Sequence, residues 1–426
     1  MELKPGYKKT EVGVIPEDWE VRSLSRLGTF RGGNGFSIIF QGSLSGDYPF
    51  FKVSDMNNDG NELYMRNANH WISEEVRKKL SANKFPAGSI VFAKVGAAIF
   101  LERKRLLIQE SCLDNNMMAF TLYDSRSNER YFHYMFLRIN LGKLVSTTAL
   151  PSLSAREIGD LRIPLPPITE QTAIATVLSD TDALIESLEQ LIEKKRLIKQ
   201  GAMQELLTGK RRLPGFAQKT GDKHTEVGVI PEDWEMRSLG EIATIRDGTH
   251  QTPKYVAYGV PFYSVENVTN DDFTNTKFIS FEEHKNLSKS FKIEKGDILM
   301  TRIGSIGECK LIDWDVEASF YVSLALLKIN KGIFSSFIFH VTRSLFFKNE
   351  IEKNSLQLAT PKKINLGPIS KIKIVFPKDF YEQEIIASVL SDMDKEIRFL
   401  EEKLSKYRQI KQGMMQELLK GRIRLV

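Results

Sequence analysis

The chain has 426 residues, 42% of them hydrophobic, with 26 Phe, 12 Tyr and 4 Trp. That is ample for packed cores, excludes a disordered chain, and makes two or three domains a better expectation than one. A net charge of +6 with a pI near 9.0 is compatible with a polyanionic partner but decides little alone.

Only two cysteines occur, Cys112 and Cys309. They exclude a disulfide scaffold and predict a reducing compartment with two small buried thiols. The opening MELKPGYKKTEVGV lacks an apolar signal core, and no run of about 18 apolar residues follows. The expectation is a cytoplasmic protein with no membrane partner.

In chain order, the first landmark is Thr10 to Leu24, TEVGVIPEDWEVRSL, which returns at Thr225 to Leu239 with only Val21 replaced by Met236. A first globule then runs to about Pro167. It holds short apolar runs such as Ser89 to Lys94, preceded by the turn signal Pro86-Ala-Gly88. A helix is predicted over Ile72 to Leu80. The run Ile163-Pro-Leu-Pro-Pro167 punctuates the end of the globule, and a long helical pattern follows. The second globule repeats the plan. Lys295-Gly-Asp297, the strand Ile298 to Arg302, and Gly304 and Gly307 answer the first copy's Val91 to Gly96; a helix is predicted over Phe334 to Glu350, and Val375-Phe-Pro377 precedes the second long helix.

The helical stretches are also repeats. Glu170 to Leu213 and Glu382 to Leu425 align without a gap, with 26 of 44 positions identical. The second carries Leu390, Met393, Ile397, Leu400, Leu404 and Tyr407 at heptad spacing; the same register in the first holds Leu178, Ile185, Leu188 and Ile192. Each helix should span about 40 residues, or roughly 60 Å. An apolar seam this long needs a partner, and the two helices can provide it for one another as an antiparallel coiled coil. The alternatives are a seam packed on its own globule or on another protein. The basic ends Lys210-Arg-Arg212 and Arg422, Arg424 suit the negative pole of a helix dipole.

The predicted fold is therefore α+β with a pseudo-two-fold internal repeat: two domains with mainly antiparallel sheets, since no regular βαβ alternation is visible, joined by two long paired helices. The predicted boundaries are 1–168 for the first domain with its constant N-terminal segment, 169–212 for the central helix, 213–380 for the second domain and 381–426 for the C-terminal helix.

Catalytic signatures are missing. There is no phosphate-binding GxxxxGK[ST] loop, no GxGxxG opening a helix after a strand, and no metal-ligand spacing among His70, His133, His224, His250, His284 and His340. Leu165-Pro-Pro-Ile168 lacks the first and last elements of an aminomethyltransferase run. Glu283-His-Lys285 matches only the end of a nuclease pattern.

Nucleic-acid chemistry is better represented. Each globule opens with a glycine-rich basic turn: Arg31-Gly-Gly-Asn34-Gly in the first, Arg246-Asp-Gly-Thr249-His250 with Lys254 and Tyr255 in the second. Glycine admits backbone amides to phosphate, and these side chains suit phosphates and base edges, although a plain turn between strands reads equally well. A second basic group holds Lys94, Arg103, Lys104 and Arg105 in the first globule and Arg302 and Lys310 in the second. A third holds Arg156, and Lys362 with Lys363. Each alone suits a solvated surface. Their recurrence at comparable places favours two readers of different sequences, set like the half-site readers of a dimer.

These residues resemble the specificity subunit of type I restriction–modification systems along the whole chain. The carriers are the duplicated Val14 to Trp19 and Val229 to Trp234, Asp247 to His250 with Thr252-Pro253, the helix openings Glu170-Gln171 and Glu382-Gln383, and the tails Gln204 to Gly209 and Gln416 to Gly421. The resemblance implies two target-recognition domains reading a bipartite site in double-stranded DNA. It implies no catalysis and no cofactor in this chain. Two modification subunits, using S-adenosylmethionine, and ATP- and Mg-dependent restriction subunits would be its partners. The first turn, Arg31 to Gly35, departs from the family-like Asp247 to His250. A coiled-coil protein-interaction adaptor without sequence-specific DNA binding is the competing class, and it leaves the paired basic turns unexplained. A self-sufficient methyltransferase or nuclease is a third; the sequence offers it no cofactor loop.

Overall fold

A computed structural model describes residues 5–124, 127–145, 150–216, 221–289, 292–356 and 358–425. The chain divides into two compact units, Met1–Glu189 with Lys403–Val426, and Gln190–Glu402.

In the first unit a five-stranded sheet runs in the order Gly28–Gly32, Met117–Leu122, Ile90–Ala93, Lys104–Leu107, Tyr64–Met65. All pairs are antiparallel except the last. The run Ile90–Ala93 is apolar throughout because both faces of the sheet are covered. Ile90 and Phe92 enter one core with Phe120, Phe132 and Phe136. Val91 points the other way, into a core with Phe51, Leu107 and Leu113. The helix Glu129–Arg138, capped by Asn128, supplies Phe132 and Phe136. A smaller sheet orders Cys112–Leu113, Tyr48–Phe51 and Trp71–Ile72.

The second unit repeats this on a different sequence. Its main sheet orders Ala243–Asp247, Leu324–Ile329, Ile298–Thr301 and Cys309–Leu311, all antiparallel. Ile298 and Met300 face one core and Leu299 the other. The smaller sheet orders Tyr255–Val256, Lys277–Ile279, Val260–Tyr263 and Ser319–Phe320.

The predicted helix at Ile72 to Leu80 forms over Glu74–Lys79, with Ser73 accepting from the Val76 amide. The predicted helix over Phe334 to Glu350 is two helices, Ser335–Thr342 and Leu345–Lys353. They part at Arg343-Ser344 because the Ser344 hydroxyl accepts from the Phe347 amide and starts a new helix. Cys112 is buried as expected, whereas Cys309 is half-buried; burial pushes the Cys112 thiol up to about 12, and desolvation pushes Cys309 to about 12.

The long helices are Ile168–Leu206 and Phe380–Leu418, 39 residues each. Both units contain a piece of each, packed antiparallel. In the first unit Thr181 meets Met414, Asp182 pairs with Lys411, and Glu189 with Arg408. In the second, Lys195 pairs with Glu396 and Lys199 with Asp394. Leu178, Leu188, Ile192, Leu390, Ile397, Leu400 and Leu404 are buried, and Ile185, Met393 and Tyr407 are half-buried.

The duplicated blocks meet where the helices end. In the first unit Arg424 forks onto Asp18 at 2.8 and 2.9 Å and onto Glu170 at 2.7 and 2.8 Å, while the Trp19 indole donates to Glu170 at 2.8 Å. In the second, Arg212 forks onto Asp233 at 2.9 Å and onto Glu382 at 2.6 and 2.7 Å. Its guanidinium lies 5.8 Å from the centre of the Trp234 ring. Glu170 and Glu382 are fully buried, so their charges require this partner. The basic tails are thus more than a complement to the helix dipole: Arg212 and Arg424 are structural.

Two further pairs complete the joint. Gly421 has φ +67° and Gly209 φ +74°; a Cβ on them would sit 2.5 Å from the Pro16 ring and 2.6 Å from the Pro231 ring. Gln171 donates to the Pro166 carbonyl and accepts from the Asn128 amide; Gln383 does the same with Pro377 and Phe334. Each glutamine ties the end of a globule's last strand to the start of its core helix.

Replacing Arg424 or Arg212 by Ala should cost about 3–5 kcal/mol, the penalty of stranding a buried carboxylate. Gly209→Ala should also destabilise, by upward of about 1 kcal/mol from its left-handed backbone alone. Gly201→Ala, at a helical site whose Cβ meets nothing, should stabilise by about 1 kcal/mol. Urea unfolding of the four variants checks both the order and the change of sign.

Candidate nucleic-acid interface

The glycine-rich turns continue the first strand of each main sheet, and their backbone equivalence is explicit. After Gly28–Gly32, Asn34 bridges in parallel to Asp114; after Ala243–Asp247, Thr249 bridges in parallel to Tyr321. Gly33 and Gly248 therefore correspond. A Cβ on either would fall 2.1 Å from a carbonyl oxygen, of Asp114 or of Phe320. Only glycine lets the turn lie this close to its neighbour. The departure of Arg31 to Gly35 from Asp247 to His250 thus leaves the backbone unchanged and alters only the side chains.

Those side chains do different things. In the first unit Arg31 donates to the Asn83 side chain at 2.6 Å, and Asn34 accepts from the Asn83 amide and donates to the Ser81 carbonyl. In the second, Arg246, Lys254 and His250 are exposed, and Asp247 accepts from both His250 at 3.0 Å and Arg302 at 2.9 Å. Thr249 is half-buried, its hydroxyl donating to the Gln251 carbonyl within the turn. Tyr255 is partly exposed under Lys277, whose ammonium is 4.9 Å from the ring centre.

Lys94 and Arg302 occupy the same place. Both follow the central strand, and both are succeeded by an antiparallel bridge, Val95 to Ser152 and Ile303 to Lys363. This bridge brings Lys363, with Lys362 beside it, to the end of the strand in the second unit; in the first it brings Ser152, and Arg156 lies on the helix Ala155–Gly159 that follows. Arg156 and Lys363 are exposed; Lys362 pairs with Glu352. The charge balance then diverges. Arg302 is buried and neutralised by Asp247, with its remaining donors on the Val322 and Ile364 carbonyls. Lys94 lies over Gly32, at the position corresponding to Asp247, and among the described residues it has no ion-pair partner.

Three predicted contacts are corrected. Lys104 is 1% exposed; burial depresses its ammonium, and its donors are spent on Glu102 and the Ile139 carbonyl. Arg302 is an interior strut for the reason just given. Arg105 is half-buried on the Asn61 and Lys104 carbonyls. Arg103 rests on Asn57, and Lys310 pairs with Asp271 and packs over Phe273 and Trp314. Arg105 and Lys310 lie on the next strand of the sheet, and Arg103 directly precedes it.

The second unit also places residues at this site that sequence reasoning missed. The turn Asp247 to Thr249 opens on a cleft of about 230 Å³ that shares Ser288, Lys292 and Ala318 with a neighbouring cleft of about 520 Å³. Phe281 and Lys285 stand on its rim, with Phe281 71% exposed. Tyr258 is 92% exposed in the loop after the turn. A tyrosine next to Gly259, at the turn between the strands Tyr255–Val256 and Val260–Tyr263, was the available signal. Glu283 and Lys285 are two residues apart on the helix Phe281–Leu287 and so diverge around it. Among the described residues no group of His, Cys, Asp or Glu could hold a metal ion, and no helix is long and apolar enough to cross a membrane.

The comparisons with known proteins agree with this architecture. The family model for the type I restriction modification DNA specificity domain matches twice, over residues 16–195 and 231–408. The specificity subunit of type I restriction enzyme MjaVIII from Methanocaldococcus jannaschii is 27% identical over 423 residues, 96% of this chain and 94% of the relative. The putative MjaX specificity subunit of the same organism is 26% identical, over 98% and 97%. The crystal structure of a type I restriction–modification S subunit from M. genitalium shares the fold, with TM-score 0.59 at 17% identity over 98% of each chain. The chain belongs to the type I restriction–modification DNA specificity family, and its role is DNA target recognition.

Lys94→Met should weaken DNA binding evenly across sequences and reduce the slope of log K against log salt by about 0.9, one phosphate contact. The same change at Arg302 should instead lower stability by about 1–3 kcal/mol, because it leaves the Val322 and Ile364 carbonyls unpaired and leaves Asp247 with His250 alone. Salt titrations beside urea unfolding separate the two.

Proposed function

We propose that each unit reads one half of a bipartite, asymmetric site in duplex DNA, and that the chain carries no catalysis of its own. The observation behind this reading is one backbone frame built twice with different side chains at the same turn: Gly32, Asn34 and Gly35 against Asp247, Thr249 and His250. A common frame sets the approach to the duplex, and the divergent side chains give each half its own base sequence.

On the same reading the chain is the scaffold on which two modification subunits and the restriction subunits assemble. S-adenosylmethionine, ATP and Mg would be bound by those partners, and adenine would be methylated there. A groove of about 1060 Å³ in the second unit, between the paired helices and the hairpin Asp222–Thr225 with Gly228–Pro231, supports a docking role. Its lining includes Met203, Val229, Leu345 and Ile397, with the Lys199–Asp394 pair beside them.

Exchange of residues 30–165 for those of a relative with a different target tests the proposal. Mapping of methylated adenines in cells carrying the hybrid should show one half of the site changed and the other retained. A change in both halves, or in neither, would contradict it.

A further inference from the structure

The first unit carries large apolar side chains where a folding core has no use for them. Ile38 and Ile39 are 82% and 77% exposed, side by side in the single 3-10 turn Ile38–Phe40. The turn lies in the segment that follows Gly33 and Asn34, the same topological position as the exposed Tyr258 of the second unit.

The turn is braced rather than loose. Phe36, just before it, stacks on Phe50 with ring centres 3.8 Å apart and meets His70 edge-on at 5.5 Å. Gln41, just after it, donates to the Phe36 carbonyl at 2.8 Å and accepts from the Lys52 ammonium at 3.2 Å. The Gly42 amide donates to His70 Nδ1 at 2.9 Å. Phe36 and Gln41 on either side of the turn are thus anchored to the globule while the isoleucines are exposed. A rigid apolar tip costs solubility and contributes nothing to the core.

The surroundings define what such a tip meets. Lys52 stands at its foot, and Arg31 lies on the strand leading into it; among the described residues neither has a carboxylate partner within ion-pair distance. Lys52 is partly offset by the buried Asp55 and Asp114 carboxylates, whereas Arg31 is exposed with only the Asn83 amide oxygen as partner. An apolar tip beside these two cations fits a polyanion with an apolar interior. Duplex DNA has that character: phosphates outside, base faces and thymine methyl groups within. A protein partner with an apolar patch would call for acidic or neutral flanks on it, and nothing in this loop selects for one.

We infer that Ile38 and Ile39 form an apolar wedge that enters a groove of the duplex and packs against bases of the half-site read by the first unit. Lys52 and Arg31 hold the flanking phosphates. This rests on the DNA-reading role proposed above. It adds that part of the first half-site is read by apolar contact rather than by hydrogen bonds, and that Tyr258, with an aromatic face and a hydroxyl, takes the corresponding place in the second.

The test uses the full chain with its modification partner, on duplex carrying the mapped methylation site. The double variant Ile38→Ser, Ile39→Ser should unfold at the parent's urea midpoint, since both side chains are exposed. It should bind the site about tenfold more weakly, as expected for loss of one or two base contacts. Two probes identify the base surface involved. 2-Aminopurine placed along the first half-site should brighten with the parent and not with the variant if a base step is opened. Deoxyuridine in place of thymidine should weaken the parent and not the variant if the contact is to a methyl group. A response from either probe supports the wedge. Parental affinity in the variant, or a loss of affinity with neither probe responding, overturns it. If the parent itself shows no preference for the mapped site, the DNA-reading proposal fails instead.

Discussion

The whole arrangement depends on one ionic joint. A buried glutamate at the start of each long helix, Glu170 or Glu382, cannot be left unpaired at an acceptable cost. Its partner is an arginine beyond the end of the other helix, Arg424 or Arg212, which also forks onto the aspartate of the Pro-Glu-Asp-Trp block. Each unit is therefore completed by the tail of the helix that begins in the other. The remaining duplicated residues serve the same joint. The tail leucines Leu206, Leu207, Leu418 and Leu419 enter the cores beside Trp234 and Trp19. Gly209 and Gly421 allow the tail to press on the proline, and Gln171 and Gln383 anchor the helix start to its globule.

That joint explains why the repeated blocks are where they are. A strained glycine, a buried carboxylate and a forked guanidinium each constrain identity more tightly than an ordinary core position, which accepts several apolar residues of similar volume. The globules share such a constraint only at backbone turns, at Gly33 and Gly248 and at the left-handed pairs Gly88 with Gly296 and Gly96 with Gly304, among the described residues. Their cores need only apolar side chains that alternate across the sheet, so Phe92 and Phe120 in one unit and Met300 and Leu327 in the other fill the same role. The surfaces around the turns are freer still, and the divergence of function is placed there.

Much of this was legible in the sequence, for definite reasons. Heptad spacing marked the long helices because the seam repeats over many turns and few other patterns do. The pairing of sheets with helices followed from short apolar runs without βαβ alternation. The charge assignments were less legible. Lys104 and Arg302 look like surface cations until Glu102 and Asp247 are seen to neutralise them; the second partner is 55 residues distant in sequence. The break at Arg343-Ser344 was hidden because a serine inside an apolar helical pattern reads as a tolerated guest rather than a new cap. Ile38 and Ile39 were missed for a related reason: adjacent isoleucines suggest a buried strand, and only the fold reveals that they face solvent. Arg212 and Arg424 of the tails were assigned to the helix dipole, which requires no partner, whereas the structure gives each of the two a pair of carboxylates.

The central claim is that a constant frame presents two different reading surfaces to one split DNA sequence. Genome-wide mapping of methylated adenine, in the host with this gene intact and with it deleted, addresses that claim most directly. The account predicts one sequence of two specific parts separated by unread base pairs, methylated only when the gene is present. A continuous target, or methylation indifferent to the deletion, would contradict it.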